Sequence, residues 1–443
     1  MKGDIDMWAY ESVFYQIYPL GFCGAPFEND GRLEHRILKV SDWIPHLKAL
    51  GVNAVYFSPV FESDTHGYNT RDYGKIDVRL GTNEDFKRVC DELHENGIRV
   101  VLDGVFNHVG RGFWAFQDVL KHRESSPYVS WFYRIDFGGN SAYNDGLWYE
   151  GWEGNFDLVK LNLKHPDVCN HILGNVKQWI DEFGIDGLRL DVAYCLDEDF
   201  LRRLRYETGQ WKQDFFLLGE MLHGDYNRLM NDNMLHSATN YECYKGLYSS
   251  FNSMNLFEIN HSLLRQFGPE NWTLYKGRHL LSFVDNHDVT RVASILRNEK
   301  HLPLIYALMF GMPGIPCIYY GSEWGAKAEK SQGDPALRPS FDAPGHTELT
   351  DFISRLCLIK KESEALNYGG FRSVLLTNKQ CIFERKSEHE RVLVAINADE
   401  NDFMAHFDAG CQKATELLSG EEYDFSGGSL LPAYSAFFWK MSC

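Results

Sequence analysis

Short apolar runs alternate with amphipathic stretches along the first three quarters of the chain. From about Ser12 to Pro316, each run is followed by a turn and then by apolar residues at helical spacing. Repeated units of this kind predict parallel strands connected by helices. Eight runs qualify as strands, of which the sixth is the weakest: Phe14–Tyr18, Asn53–Ser58, Ile98–Leu102, Ile185–Leu190, Phe215–Gly219, Met234–Ala238, His279–Val284 and Ile315–Tyr319. The pattern therefore predicts an α/β protein built on a (β/α)8 TIM barrel.

The ends of three connecting helices can be read from the sequence. A Ser or Thr residue before an apolar stretch favours a helix start, and a glycine after it favours a helix end. Thr82 and Asp85 have the spacing of a capping box, and a proline suits the first turn of a helix. The predicted start and end of each helix are, in chain order, Ser41 and Gly51, Thr82 and Gly97, and Pro166 and Gly184.

Two parts of the chain depart from this pattern. Between Gly110 and Asn155 the helical periodicity fails, and aromatic residues crowd among Gly, Asn and Asp, which indicates a long insertion after strand 3. After Asn367, short alternating runs predict antiparallel strands. We therefore predict a catalytic barrel from residues 1–109 and 156–366, an insertion (domain B) at 110–155, and a C-terminal β-sandwich domain at 367–443.

Composition limits the classes of partner. The chain is 44% hydrophobic, but it has no uninterrupted apolar run of about 18 residues that could span a bilayer. The N-terminal residues include Asp4, Asp6 and Glu11 and lack the features of a secretory signal, which predicts a cytoplasmic location. The net charge of −18 argues against nucleic acid and against an anionic membrane surface as partners, and it permits a neutral polyol substrate. The oligomeric state is left open.

Carboxylates follow four of the predicted strands. The carboxyl-terminal ends of the strands form the active site of a (β/α)8 barrel, so these side chains are expected to converge. An acidic group at the end of a buried strand is costly unless it is paired or functional. Arg189, two residues before Asp191, points the same way along the strand and can hold Asp191 ionised, while His108 and His287 can donate hydrogen bonds. One ionised and one protonated carboxylate are what glycoside cleavage requires. The four carboxylates are Asp103, Asp191, Glu220 and Asp288.

The segments that carry these carboxylates resemble the four signature regions of the α-amylase family of glycoside hydrolases, family 13, and they occur in the family's order. The resemblance extends to most of the chain and is weakest in the insertion and in the C-terminal region. The segments are Asp103-Gly-Val-Phe-Asn107-His108, Gly187-Leu-Arg189-Leu-Asp191-Val-Ala, Gly219-Glu220, and Phe283-Val-Asp-Asn-His287-Asp288. Outside them, His66-Gly-Tyr68-Asn-Thr-Arg-Asp72-Tyr73 and Gly314-Ile-Pro-Cys-Ile-Tyr-Tyr-Gly321-Ser-Glu323 are also similar to that family.

The resemblance implies a role for each matching residue. It implies that Asp191 is the nucleophile, that Glu220 is the general acid/base, and that Asp288 is the third active-site carboxylate, so that the α configuration is retained. Asp103 is implied to support the active-site arginine. The implied substrate-binding residues are Tyr68, His108, Arg189 and His287.

The resemblance implies no required cofactor. Asn107 matches a position that often binds calcium in secreted relatives, which makes it a possible calcium ligand. Secreted α-amylases usually carry Lys-His shortly after the nucleophile, and this chain has Tyr194-Cys195 there, so calcium is doubtful and no metal ligand is assigned.

The substrate class follows from the same comparison. Val159-Lys160-Leu161-Asn162 is similar to the segment typical of neopullulanases and cyclomaltodextrinases, which predicts short α-glucan oligosaccharides, namely maltodextrins and cyclodextrins. Val192 occurs both in that group and in enzymes that cut α-1,6 links, so an oligo-1,6-glucosidase stays open. A 4-α-glucanotransferase is a second alternative. A catalytically silent binding protein is less favoured, because the three catalytic carboxylates are present.

Overall fold

Eight parallel strands form the central sheet of the computed structural model, which describes residues 7–442. The strands are β1 Phe14–Ile17, β2 Ala54–Phe57, β3 Arg99–Gly104, β4 Gly187–Leu190, β5 Phe216–Gly219, β6 Ser237–Ala238, β7 Leu281–Ser282 and β8 Ile315–Tyr319. Hydrogen bonds join them in the order β6-β5-β4-β3-β2-β1-β8-β7. A parallel bridge between Thr239 and Leu281 joins the two ends of this sheet. The predicted barrel is confirmed, and every strand overlaps its predicted run.

Both faces of the barrel strands are apolar, which explains why the runs show no alternation of apolar and polar residues. In β1, Phe14 belongs to a small cluster inside the barrel, while Tyr15 and Ile17 pack outward against the helices. Neighbouring strands repeat this arrangement, as in β2, where Tyr56 points inward and Phe57 outward. Parallel strands covered by helices are buried on both sides for this reason.

The barrel helices follow the predicted periodicity. Thr82 and Asp85 each accept a backbone N–H of the other, at 3.1 and 2.8 Å, and this confirms the capping box. The prediction that Ser41 caps a helix is wrong, because a 3-10 turn at Arg36–Leu38 runs directly into the helix, which begins at Lys39. Within residues 7–442, no helix is long and apolar enough to cross a membrane.

The helices of the barrel and its loops have the following bounds: Pro19–Phe22, Lys39–Leu50, Asn83–Glu95, Trp114–His122, Pro166–Phe183, Glu198–Trp211, Tyr241–Ser253, Phe257–Phe267, Val292–Ile295, Leu302–Gly311, Asp334–Leu337, Glu348–Glu362 and Glu364–Tyr368. Gly51 and Gly184 directly follow two of them in the left-handed conformation, with φ of 91° and 66°, as their predicted role at a helix end requires. Two extra hairpin strands, Phe61–Ser63 and Thr70–Ile76, follow β2.

The segment after β3 contains a helix that the sequence pattern did not predict, at Trp114–His122. It also contains a three-stranded antiparallel sheet formed by His108–Gly110, Asn155–Lys160 and Gly151–Trp152. This sheet extends beyond both ends of the predicted insertion at 110–155. The division of the chain into three domains stays a prediction, and its outer limits at residues 1–6 and 443 lie outside the described residues.

The C-terminal region is an antiparallel β structure, as predicted. A six-stranded sheet has the order Gly370–Leu376, Gln380–Lys386, Arg391–Asn397, Ser435–Met441, Lys413–Glu416 and Glu422–Asp424. A second sheet pairs Phe403–Ala405 with Ser429–Leu431. Residues of both sheets, including Ile382, Leu393 and Leu431, share one buried apolar cluster. The two sheets therefore pack on a common core.

Candidate active site

Four acidic side chains from distant parts of the sequence meet at the carboxyl-terminal mouth of the barrel. Asp103 is in β3, Asp191 directly follows β4, and Glu220 directly follows β5. All three residues are at most 6% exposed. Asp288 lies beyond β7 at the same mouth, and its side chain is 37% exposed. The predicted convergence of strand-end carboxylates is therefore present in the structure.

One guanidinium group joins three of these carboxylates. Arg189, within β4, places Nη1 3.0 Å from Asp103 Oδ1 and 2.9 Å from Asp191 Oδ1. Its Nη2 lies 2.7 Å from Glu220 Oε1. Charge-assisted hydrogen bonds of this kind fix both partners in position. Asp191 and Glu220 are thus both held by the same rigid group, one at each terminal nitrogen.

Three carboxylates share a single cation, so ionising all three of them is unfavourable. Burial raises the pKa of Asp103, Asp191 and Glu220, and for Asp191 and Glu220 the neighbouring carboxylates raise it further. Arg189 lowers each of these pKa values without offsetting burial. The predicted attraction between Arg189 and Asp191 is present, but the net pKa of Asp191 is well above the ordinary value. The site therefore retains a proton more readily than free carboxylates would.

The residue after Asp191 has an unusual backbone. Val192 adopts φ 40° and ψ 48°, a left-handed conformation that is strongly disfavoured for a β-branched side chain. Its backbone N–H donates to Glu220 Oε2 at 2.9 Å. This strained turn therefore gives Glu220 a second donor besides Arg189. Strain of this kind is commonly retained where function requires it.

Aromatic and imidazole groups complete the mouth. The Tyr68 hydroxyl donates to Asp103 Oδ2 at 3.1 Å and lies 2.5 Å from His287 Nε2. Asp288 accepts from Arg338 Nη2 at 2.8 Å, and its Oδ2 lies 3.1 Å from His287 Nε2. Burial raises the pKa of Asp288, but His287 and Arg338 outweigh this and make the net pKa low. Asp288 is thus ionised beside a cluster that holds protons.

A cleft of about 500 Å3 opens above these groups. Its lining residues include Tyr68, His108, Asp191, Glu220 and Asp288, while Arg189 and His287 lie beneath it. His108 Nε2 is 4.0 Å from Asp191 Oδ2 and has no hydrogen-bond partner within residues 7–442. Burial lowers the pKa of His108 to about 3, so its ring is neutral. The remaining lining is largely apolar and includes Trp152, Leu158, Val192, Tyr194 and Leu222.

Asn107 is buried beside His108, and its amide nitrogen lies 3.1 Å from His108 Nδ1. Calcium takes six to eight oxygen ligands, with carboxylates among them. Within the described chain, no group of three or more His, Cys, Asp or Glu side chains is arranged to hold a metal ion.

We expect the Asp191→Asn and Glu220→Gln variants to raise the melting temperature near neutral pH, by on the order of 1–3 °C. A carboxyl group whose pKa is raised by folding contributes stability below its unfolded pKa, and this contribution is lost as the pH rises through the folded pKa. The gain should therefore be largest near pH 8 and should vanish towards pH 4, as thermal unfolding across this range would show.

Asp288→Asn serves as the contrast for this prediction. The folded pKa of Asp288 is lowered, so its carboxylate stabilises the protein above its unfolded pKa and loses that effect as the pH falls. Asp288→Asn should therefore lower the melting temperature near neutral pH. Equal shifts of the same sign in all three variants would contradict the proton balance described for this site.

Several residues of the mouth were not predicted from the sequence, among them Gln16, Arg338, Tyr241 and Asp334. Gln16 has a weak signal, since it is a polar residue within the apolar run of β1. Val192 was noticed for its side chain, but its backbone conformation depends on tertiary contacts. Arg338 has no signal, because it lies in a loop 50 residues after Asp288 and belongs to no pattern.

The comparisons with known proteins agree with this geometry. The model of a family described as "Alpha amylase, catalytic domain" matches residues 16–365. A cyclomaltodextrinase of Bacillus sp is 32% identical over 416 residues, covering 89% of this chain and 74% of that protein. An intracellular maltogenic amylase of Bacillus subtilis (strain 168) is 31% identical over 419 residues, covering 87% of this chain and 68% of that protein.

Solved structures give the same result. A cyclomaltodextrinase structure aligns with a TM-score of 0.86 and 28% identity, covering 98% of this chain and 78% of that one. The matched residues include strands β2 to β8, all four carboxylates and Arg189. The chain therefore belongs to the α-amylase family and is a glycoside hydrolase that cleaves α-glucosidic bonds.

Proposed function

We propose that this hydrolase acts with retention of configuration on short maltodextrins and cyclodextrins in the cytoplasm. The observation that carries the proposal is the pair of carboxylates, Asp191 and Glu220, bridged by Arg189 at the base of the cleft. A retaining glycosidase uses one carboxylate as the nucleophile and a second carboxyl group first as the acid and then as the base, and this pair supplies both groups. The substrate class and the location are supported by the names of the cyclomaltodextrinase and the intracellular maltogenic amylase.

In the first step, Asp191 attacks the anomeric carbon and the bond from that carbon to the leaving oxygen breaks. Glu220 gives its proton to the leaving oxygen, so the departing sugar is neutral. In the second step, Glu220 takes a proton from water, whose oxygen attacks the anomeric carbon and releases Asp191. The raised pKa values of both Glu220 and Asp191 let the pair retain a proton, and the reaction requires that proton on Glu220 while Asp191 is ionised beside Arg189.

The other residues of the mouth would hold the sugar as its ring flattens. Asp288 is ionised and partly exposed to the cleft, so it can accept hydroxyl hydrogen bonds that strengthen in the transition state. The neutral ring of His108 has a free nitrogen beside Asp191 and can bind a further hydroxyl. Tyr68 lines the cleft and offers its ring to the apolar face of a pyranose. Arg189 holds both reacting carboxylates throughout.

The test is to incubate the purified protein separately with maltotriose, γ-cyclodextrin, pullulan, isomaltose and soluble starch, without added calcium, and to follow the products over time. We expect γ-cyclodextrin and maltotriose to be cleaved ahead of starch, and the first product to be the α-anomer by proton NMR. A β-anomer would overturn the retaining mechanism.

The same experiment separates the competing functions. Cleavage of isomaltose alone would replace the proposal with an oligo-1,6-glucosidase. Products larger than the donor would replace it with a 4-α-glucanotransferase. No turnover of any substrate would favour a binding protein. Each outcome is distinct, so the panel decides between the proposal and its alternatives.

A further inference from the structure

Gln16 lies in β1 beneath the cleft and has two polar neighbours. Its amide nitrogen donates to Ser58 Oγ at 3.1 Å and to His287 Nδ1 at 2.8 Å. All three side chains are at most 3% exposed, so water does not compete for these bonds. The sugar-facing groups of the cleft do not include Gln16. Gln16 can therefore influence the active site only through its contact with His287 or Ser58, and His287 is the one of these two that faces the site's other groups.

This contact decides where His287 carries its proton. A neutral imidazole has one N–H and one nitrogen acceptor, and the partner of each nitrogen determines which is which. Because the Gln16 amide donates to Nδ1, Nδ1 is the acceptor and the proton is on Nε2. Nε2 is the nitrogen that faces the Tyr68 hydroxyl at 2.5 Å and Asp288 Oδ2 at 3.1 Å.

Burial keeps the His287 ring neutral. Burial lowers its pKa to about 3. Asp288 and Asp334 raise the pKa, while Arg338 and Arg189 lower it, and these opposing charges leave the effect of burial dominant. Two tyrosine rings, Tyr18 and Tyr68, lie nearly parallel to the imidazole, with centroids 6.0 and 5.6 Å away. The ring thus packs against two tyrosine rings, and its two nitrogens face the hydrogen-bond partners that set the position of its proton.

The hydrogen bonds continue in one direction towards the carboxylates. His287 donates from Nε2 to the Tyr68 hydroxyl, and that hydroxyl is then free to donate to Asp103 Oδ2 at 3.1 Å. Asp103 in turn binds Arg189. If the proton of His287 were on Nδ1, Tyr68 would have to donate to Nε2 and would abandon Asp103. Asp288 would then face a lone pair instead of an N–H.

We propose that Gln16 is a positioning residue, which selects the tautomer of His287 that presents an N–H to Tyr68 and Asp288. This inference rests on the proposed roles of Asp288 and Tyr68 in binding the sugar. The amide of Gln16 acts without touching the substrate. It sets the direction of the hydrogen bonds that run from Gln16 through His287 and Tyr68 to Asp103. Outer partners of catalytic imidazoles orient them in the same way at metal sites.

The first experiment reads the tautomer directly in the wild-type protein. Histidine labelled with 15N is incorporated, and the signals of His287 are assigned by their loss in His287→Ala. We expect the Nε2–H tautomer with no titration between about pH 5 and pH 8. An Nδ1–H tautomer, or a charged ring in this range, would overturn the proposal. This measurement needs no substrate, so it is independent of whether the proposed function is correct.

The second experiment changes the direction of the bond. Gln16→Glu places an acceptor at Nδ1, so the proton is drawn to Nδ1 or the ring becomes charged. We expect kcat/KM to fall roughly 10- to 100-fold and a new ionisation to appear in the pH profile near neutrality. Gln16→Met, which removes the donor without adding an acceptor, should lower kcat/KM without the new ionisation.

The matched control is Gln380→Glu, a buried glutamine in the C-terminal sheet that bonds Asn397. It introduces the same chemical change far from the cleft, and its pH profile should match that of the wild type. An unchanged pH profile and tautomer in Gln16→Glu would overturn the proposal, as would the same new ionisation in Gln380→Glu. A merely structural role for Gln16 would lower stability in both variants and leave both pH profiles alike.

Discussion

Replacing Asp191 by asparagine is expected to lower turnover by roughly four to six orders of magnitude while the protein stays folded. The amide has the shape of the carboxylate, and Arg189 can still contact its oxygen, so the barrel mouth keeps its geometry. The amide cannot form the ester bond to the anomeric carbon, and the covalent pathway is lost. Turnover of maltotriose, with circular dichroism as the check on folding, measures both parts of the prediction.

Glu220→Gln separately tests the proposed role of Glu220 as the general acid and base. With an activated leaving group such as fluoride, the first step needs no acid, so this variant should form the glycosyl-enzyme at a substantial rate and then hydrolyse it slowly. Asp191→Asn should gain nothing from the activated substrate. Asp199→Asn, an exposed aspartate with a side chain 91% exposed, is the control and should keep full activity. If Asp191→Asn turned over substrate within tenfold of the wild-type rate, Asp191 would not be the nucleophile.

Arg189→Met is expected to have the second largest effect, because it leaves Asp103, Asp191 and Glu220 buried without their shared cation. Breaking a buried charge network by removing one partner costs about 3–5 kcal/mol. The pKa values of the three carboxyls would rise further, so stability should be closest to wild type near pH 4 and lowest near pH 8. Melting temperatures across this range measure the effect.

The activity of variants at Arg189 tests the bridging role independently of stability. Arg189→Lys keeps the positive charge but has one nitrogen in place of the planar group that bridges three carboxylates. We expect it to recover part of the stability and still lose about 10³-fold in kcat/KM. Arg203→Met, a half-exposed arginine on the following helix, is the control. A stable and active Arg189→Met would contradict the bridging role described for this guanidinium.

Most of the barrel could be predicted because its signals are local. Even β6, two residues long, falls within its predicted run, since a buried strand needs apolar residues whatever its length. The helix at Trp114–His122 was missed although it has a polar face with Gln117 and Lys121, because it is only nine residues long and lies in a segment rich in Gly, Asn and Asp. Ser41 was wrongly predicted as a helix cap because the 3-10 turn at Arg36–Leu38 leads directly into the helix, which therefore begins before Ser41.

In the active site too, local features could be predicted from the sequence and features that depend on tertiary contacts could not. Strand-end carboxylates could be found from the sequence, because the end of a buried strand is a place that sequence patterns define. The tautomer of His287 could not, since it depends on Gln16 in a strand that lies 271 positions earlier. The sharing of one cation by Asp103, Asp191 and Glu220 is also a three-dimensional property. Their types and their convergence were predicted from the sequence, but the distances at which they share Arg189 were not.

The bridge between Thr239 and Leu281 makes β6–β7 the junction with the fewest paired residues in the described barrel. Local opening requires few hydrogen bonds to break there, so this seam is the weakest joint of the closed sheet. Glu220 is attached to β5 on one side of it, and Asp288 follows β7 on the other. A brief opening of the seam would therefore change the spacing between the proton donor and the sugar-binding carboxylate, while β1 to β5 stay intact.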